Sequence, residues 1–253
     1  MDRRSGRDMQ LLFDLHTHTV ASGHAFSTWK ENIEEAAKKG LLAVGCSDHC
    51  GAALKAPGAL YFGNCRAVAG EIMGVRVFTG IEANIIDYKG TLDMRDEVLA
   101  KLDYVIASLH VPCIPSGTRE ENTSALIGAM KNPWVKIIGH PDDDRFLLDH
   151  PRLVDAAARY KVALEINSSS MSARTGRKNA DKNIPRLLEL CRQYRVPVIA
   201  GSDAHIWYDV GNMKMAEKLL EECSFPEELV LNTRMENLDY IVNQKEKLEF
   251  LHL

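Results

Sequence analysis

Short apolar runs alternate with amphipathic or charged stretches from one end of the 253-residue chain to the other. The runs fall at 11–15, 41–47, 75–81, 104–108, 135–139, 162–166 and 196–201, each the length of one strand. They are nearly continuous rather than alternating, which is the pattern of strands covered on both faces by helices. Between them, residues 32–39, 95–102, 124–131, 152–160 and 184–194 carry apolar side chains at helical spacing. Gly40 and Gly74 stand where helix C-caps would precede the next strand. Residues 235–253 read as one last helix packed on the outside. Repeated βα units of this kind build a parallel sheet, either open and doubly wound or closed into a barrel. No GxGxxG or P-loop follows the first run, so a nucleotide-binding open sheet loses its usual support. Neither an internal repeat nor a low-complexity linker divides the chain. Residues 11–253 are therefore expected as one domain behind a disordered or extended leader, residues 1–10.

The residues that follow the runs carry the chemistry. The first run leads into His16 and His18 with His24 in the loop beyond, the second into Asp48 and His49, and the third into Glu82. The fourth leads into His110, the fifth into His140 and the seventh into Asp203 and His205. In a parallel barrel the C-terminal strand ends gather on one face, so residues distant in sequence arrive together there. Imidazoles and carboxylates crowded at one place are costly unless a cation joins them. Seven histidines with Glu82 and Asp203 make nine candidate ligands. One zinc takes only three or four, so the set predicts more than one ion. Histidine and carboxylate without thiolate suit Zn²⁺, Mn²⁺ or Fe²⁺ and disfavour Ca²⁺ and Mg²⁺ sites built from oxygen alone.

Composition narrows the class without deciding it. Apolar residues make up 45% and charged residues 26% of the chain, an ordinary globular balance. A net charge of −4 argues against a surface coated with basic residues for nucleic acid, although a local basic patch is compatible with it. The polar N-terminal stretch precedes an apolar run too short for a signal-peptide core or a membrane span, so a cytoplasmic protein is expected. Six scattered cysteines form no paired framework and are expected as reduced thiols, with Cys46 and Cys50 packing beside the site.

In order along the chain stand DLHTHT at 14–19, His24, SDH at 47–49, GIEAN at 80–84 and SLH at 108–110. GHP at 139–141, EINSSS at 165–170 and GSDAH at 201–205 follow. Together these resemble the PHP (polymerase and histidinol phosphatase) family, most of all its stand-alone, YcdX-like phosphatase branch. The resemblance covers roughly residues 11–215. It implies a single-domain α/β fold, a distorted (β/α)7 TIM-like barrel, with three divalent transition-metal ions, usually zinc. Carried over, His16, His18, Glu82 and Asp203 would hold one ion, His24, His49 and His205 a second, and Glu82, His110 and His140 a third, with Glu82 bridging.

Three such ions with two carboxylates leave a charge of about +4, which calls for an anionic substrate. The expected reaction is hydrolysis of a small phosphomonoester by metal-bound hydroxide, with Asp203 and His205 as the candidate catalytic groups and Asp203 orienting the water. Outside the ligands, Arg66, Arg174 and Arg177 are candidate substrate-binding residues, because a forked guanidinium can clasp phosphate. Asp14 is expected to orient an imidazole, and Trp207 and Tyr208 to wall the leaving group. Histidinol-phosphate phosphatase activity, or nuclease or phosphodiesterase action on DNA ends, stand as the alternatives. No membrane or nucleic-acid partner is expected, and the oligomeric state stays open.

Overall fold

The computed structural model describes residues 9–68 and 70–242. Seven parallel strands form its centre: β1 (Phe13–Asp14), β2 (Ala43–Cys46), β4 (Val75–Asn84), β5 (Tyr104–Ser108), β6 (Val135–Ile138), β7 (Ala163–Asn167) and β8 (Val198–Gly201). They pair in the order β1-β2-β4-β5-β6-β7-β8, and a Thr17–Ala204 bridge draws the two end strands together into a nearly closed barrel. The expected α/β barrel is the observed architecture.

Parallel strand pairing stops short along the β1/β8 seam, and side chains close it. Asn232 accepts from the Ala200 N–H at 2.7 Å and donates to the carbonyls of Phe13 and Ala200 at 2.7 and 3.0 Å. Asp14 accepts from the backbone N–H groups of His16 and Ser202, both at 3.2 Å. Asp14 therefore fixes backbone next to the histidines rather than touching an imidazole, which corrects the orienting role expected of it. Each of these bonds satisfies a buried backbone group that no neighbouring strand reaches.

Inside the barrel, alternate strand positions point inward and form a layered core. Phe13, Leu15, Phe78, Tyr104, Ile106, Ile137 and Ile199 are among its members. The Tyr104 ring crosses this interior and its hydroxyl donates to the Leu15 carbonyl at 2.6 Å. A Cβ on Gly80 would lie 2.2 Å from the Tyr104 ring, so glycine there is a condition of the packing. Further along the same inward rows the side chains become Glu82, Ser108, Glu165 and Asp203, all buried. The interior thus turns from apolar to charged at the C-terminal strand ends.

A second apolar layer lies between strands and helices. Around the barrel run α1 (Trp29–Lys38), α2 (Ala59–Asn64), α3 (Asp96–Leu99), α4 (Arg119–Met130), α5 (His150–Tyr160), α6 (Ala180–Tyr194) and α7 (Lys214–Glu222), and a last short helix, α8 (Leu238–Ile241), lies across one end. α1 and α4 start several residues before the apolar periodicity does, because Thr28 with Glu31 and Thr118 with Glu121 form capping boxes.

Two expectations are corrected. Gly74 does not cap a helix. With Met73 it forms the two-residue turn of a hairpin joining β3 (Glu71–Ile72), antiparallel, to β4, and both residues have positive φ, 56° and 76°. The C-terminal segment does not pack on the outside: Leu231, Leu238 and Ile241 join the inner core and plug the barrel opposite the charged end. The remainder of the helix expected over 235–253, from residue 243 on, lies outside the described residues, as do residues 1–8 of the leader.

Candidate metal centre

All nine histidine and carboxylate candidates meet at the charged end of the barrel. Three overlapping groups have ligand atoms within 4.8 Å of one another: His16, His18 and Asp203; His18, His49 and His205; His49, Glu82 and His110. His24 joins through its Nε2, 3.2 Å from His205 Nε2, and His140 through its Nε2, 3.0 Å from Glu82 Oε1. Glu82 is the hub. Its Oε1 faces His110 and His140 at 3.3 and 3.0 Å, and its Oε2 faces His49, His16 and His18 at 3.1, 3.3 and 3.5 Å. His140 and Asp203 take left-handed backbone, φ 31° and 53°, a strained conformation for residues with a side chain and one common at functional sites.

Neighbours fix which ring nitrogen is free. His16 Nδ1 donates to Glu165 Oε1 at 2.6 Å, and His110 Nδ1 to Asn84 Oδ1 at 2.7 Å. His205 Nδ1 donates to the Asp203 carbonyl at 3.0 Å. The Ser22 hydroxyl gives its proton to Asp48 at 2.7 Å, so it can only accept from His18 Nδ1, 3.2 Å away. In the neutral form of all four rings Nε2 is left with a lone pair directed into the cluster. His16 Nε2, His18 Nε2, His49 Nδ1 and Glu82 Oε2 are buried without a hydrogen-bond partner. Such orphaned atoms are rare in folded proteins, and four converging on one point fit a cation.

Glu165 and Asn84 were not singled out from the sequence, although both lie in motifs noted there. A polar side chain at an inward position of a buried strand is their available signal. Gly201 makes room for Glu165, since a Cβ there would lie 2.0 Å from Oε1. Asp48 is no candidate ligand: its oxygens accept from Thr19, Ser22 and Tyr61 at 2.6 to 2.8 Å and anchor the loop after β1.

The three arginines are placed differently. Arg177 is nearly buried and donates to Asp203 Oδ2 at 2.8 Å, Asn167 Oδ1 at 3.0 Å and Ser170 Oγ at 3.3 Å. Arg174 stands at the mouth, 77% exposed and 3.5 Å from Asp209. Arg66 is exposed on the turn Cys65–Ala67 and is not among the residues bordering the cavity over the cluster. Tyr208 borders that cavity, whereas Trp207 packs edge-on against Tyr208, ring centroids 5.5 Å apart. Near Arg177, burial pushes the Asp142 carboxyl up to about 7 against the pull of the guanidinium.

Charge and burial oppose each other throughout the cluster. Burial resists ionisation of Glu82 and Asp203, yet His16 and other rings beside Glu82, and Arg177 and His16 beside Asp203, hold both carboxyls well below their usual range. Burial also works against a charged His16, but Glu165, Glu82 and Asp203 together raise it well above 6.5. His18 goes the other way: burial, reinforced by His205, pulls it from 6.5 to about 4, and burial likewise drives His49 well below 6.5.

A pH dependence follows for the metal-free protein. Unfolded His18 takes a proton near pH 6.5 and folded His18 only near 4, so its stabilising contribution is full above 6.5 and disappears as pH falls towards 4. His49 adds in the same sense. The raised His16 contributes below pH 6.5 and loses that contribution as pH rises through its higher folded value. Chelator-treated protein should therefore be most stable near pH 6.5, with Tm falling on acidification towards pH 4. A Tm that stays flat or climbs over that interval contradicts buried neutral imidazoles.

The PHP domain pattern matches residues 14–223. A protein of Caldanaerobacter subterraneus subsp. tengcongensis named as a probable phosphatase is 45% identical over 240 residues, 94% of each chain. One of the same description from Caldicellulosiruptor bescii is 44% identical over 90% of this chain and 94% of its own. Among solved structures, the histidinol phosphate phosphatase of Lactococcus lactis, complexed with zinc, L-histidinol and phosphate, shares the fold at 18% identity. Its TM-score is 0.60 over 85% of this chain and 94% of that one. A chain of an archaeal ribonuclease P is similar in fold at 17% identity and TM-score 0.61, over 90% of both.

Proposed function

The chain belongs to the PHP domain family, and from that premise we propose that it is a metal-dependent phosphatase that hydrolyses phosphomonoesters at the strand-end cluster. The observation that carries the reading is the set of orphaned donor atoms on His16, His18, His49 and Glu82, buried together where a cation would satisfy them all. His16, His18, Glu82 and Asp203 would hold one ion, His24, His49 and His205 a second, and Glu82, His110 and His140 a third. The two-sided contacts of Glu82 suit a bridge. The imidazole-rich set suits Zn²⁺, with Mn²⁺ or Fe²⁺ as substitutes. When bound, such ions supply positive charge to phosphoryl oxygens and acidify water so that a nucleophile forms near neutral pH.

The chain's own residues do the rest. Glu165 and Asn84 keep Nδ1–H on His16 and His110, which aims each Nε2 into the cluster. Arg177 holds Asp203 Oδ2, so Oδ1 remains directed at His16 and His18. Asp203 is thereby a poor free base and a good fixed acceptor for water. His205, with only its Nε2 free, borders the cavity beside it. Arg174 is the more exposed guanidinium that meets an incoming anion at the mouth, while Arg177, which also borders the cavity, is bonded to Asp203. Arg66, away from the cavity, has no such path. None of the described helices is long and apolar enough to cross a membrane, and we take the substrate to be a soluble phosphate ester met in the cytoplasm.

The rival reading is hydrolysis of phosphodiesters or DNA ends. A strongly cationic centre favours a dianionic monoester over a monoanionic diester. With metal-reloaded protein, a phenol monoester should exceed the matched diester and a labelled single-stranded oligonucleotide by at least about tenfold in kcat/KM, roughly 1.4 kcal/mol of barrier. A diester or oligonucleotide ahead by the same margin replaces this reading with the nuclease one.

A further inference from the structure

The cavity over the cluster is larger than a phosphate group requires. Its volume is about 740 Å³, within the ~300–1,000 Å³ of pockets that enclose whole organic ligands. Phe26, Met171, Ile206, Tyr208 and Met215 all border it. Phe26 is 73% exposed, Tyr208 46% and Met215 37%. Single exposed apolar side chains are ordinary on a protein surface, but a group of large ones around one opening marks a surface made for a ligand.

These side chains project from fixed backbone. The Phe26 N–H donates to the His205 carbonyl at 2.8 Å, and the Trp207 N–H to Ser27 Oγ at 2.6 Å. Lys39 Nζ donates to the carbonyls of Tyr208 and Val210, both at 2.7 Å. The N–H of Ala216, next to Met215, donates to Ser168 Oγ at 3.1 Å. Trp207 backs Tyr208 edge-on. A wall built this way exists before the ligand arrives and loses little freedom on binding. It also lies against the metal cluster: Phe26 is bonded to the backbone of His205, whose Nε2 is 3.2 Å from that of His24.

We propose that this mouth is a leaving-group subsite, and that the alcohol of the phosphomonoester is a planar, largely apolar group about the size of an aromatic ring, resting on Phe26 and Tyr208. The inference rests on the phosphomonoesterase reading above. Exposed apolar surface gives nothing to a polyol, which would keep its hydroxyl groups in water, whereas a ring buries its faces there.

Ethyl phosphate and 2-phenylethyl phosphate test it, because their alcohols differ little in acidity and the bond broken is the same. On metal-reloaded protein, kcat/KM for the phenylethyl ester should be about ten- to a hundredfold higher, the range for burying one aromatic side chain. The double variant Phe26→Ala/Tyr208→Ala should bring that ratio down to within about threefold of unity, with metal content measured on the same preparation. Equal values for the two esters in the unaltered protein, or a ratio that survives in the double variant, overturn the subsite alone. Hydrolysis of neither ester overturns the phosphomonoesterase reading and the subsite with it.

Discussion

Glu82→Gln is expected to lower kcat/KM by at least about a thousandfold, because several kcal/mol of transition-state charge stabilisation go with the metals it is proposed to hold. No other side chain in the cluster faces so many partners. One oxygen meets His110 and His140 at 3.3 and 3.0 Å, and the other meets His49, His16 and His18 at 3.1, 3.3 and 3.5 Å. Glutamine keeps the shape but not the charge, and one of its two ends presents hydrogens to a cation. Loss of any single histidine removes one donor from one ion and should cost less. Elemental analysis alongside kcat/KM on one preparation checks both halves. Glu82→Gln protein that kept two ions and near-normal turnover would remove the bridging role.

The second large effect is expected at Glu165, which touches no substrate. Its Oε1 accepts from His16 Nδ1 at 2.6 Å, and its Oε2 accepts from the His140 N–H at 2.8 Å and from Asn167 at 3.1 Å. One carboxylate thus holds the ring of one proposed ligand and the backbone of another. Glu165→Gln should weaken metal affinity or activity by about 10- to 100-fold, the usual consequence of losing a carboxylate behind a metal-binding histidine. Competition with a chelator of known affinity separates this from a purely structural defect. Unchanged metal affinity with only a lowered Tm would reduce Glu165 to a packing role.

The contrast between these two glutamates shows what the sequence can and cannot say. Glu82 is visible because it ends an apolar run and belongs to a set repeated at nearly every strand end. Glu165 lies inside its run, where its neighbours Leu164 and Ile166 make the segment look apolar throughout, and only the inward row shared with Ala163 shows what it faces. The barrel itself was legible for the same reason as Glu82: nearly continuous strands alternating with helical spacing admit few architectures. Its seam was not. Asn232 closes it from a segment about thirty residues beyond β8, and nothing local to Asn232 marks that role. Leu238 and Ile241 fall within the segment read as an outer helix, and a helical pattern does not say which surface its apolar residues meet. The turn at Met73–Gly74 carried a usable signal, a glycine second in a two-residue turn between apolar residues, but a glycine before a strand is equally a helix cap. Arg174 and Arg177 are three residues apart in one basic loop, and sequence treats them alike. Burial separates them, committing Arg177 to Asp203 and leaving Arg174 at the mouth.

The central claim is that the strand ends form one multinuclear metal centre, and metal content measured against recovered activity tests it most directly. Apoprotein prepared with chelator and titrated with Zn²⁺ or Mn²⁺ should regain phosphomonoesterase activity with a break at two to three equivalents, and elemental analysis of the reloaded protein should find two to three ions per chain, because nine donors exceed what one ion can take. At most one ion per chain after full reloading, or full activity in the chelated protein, would contradict it.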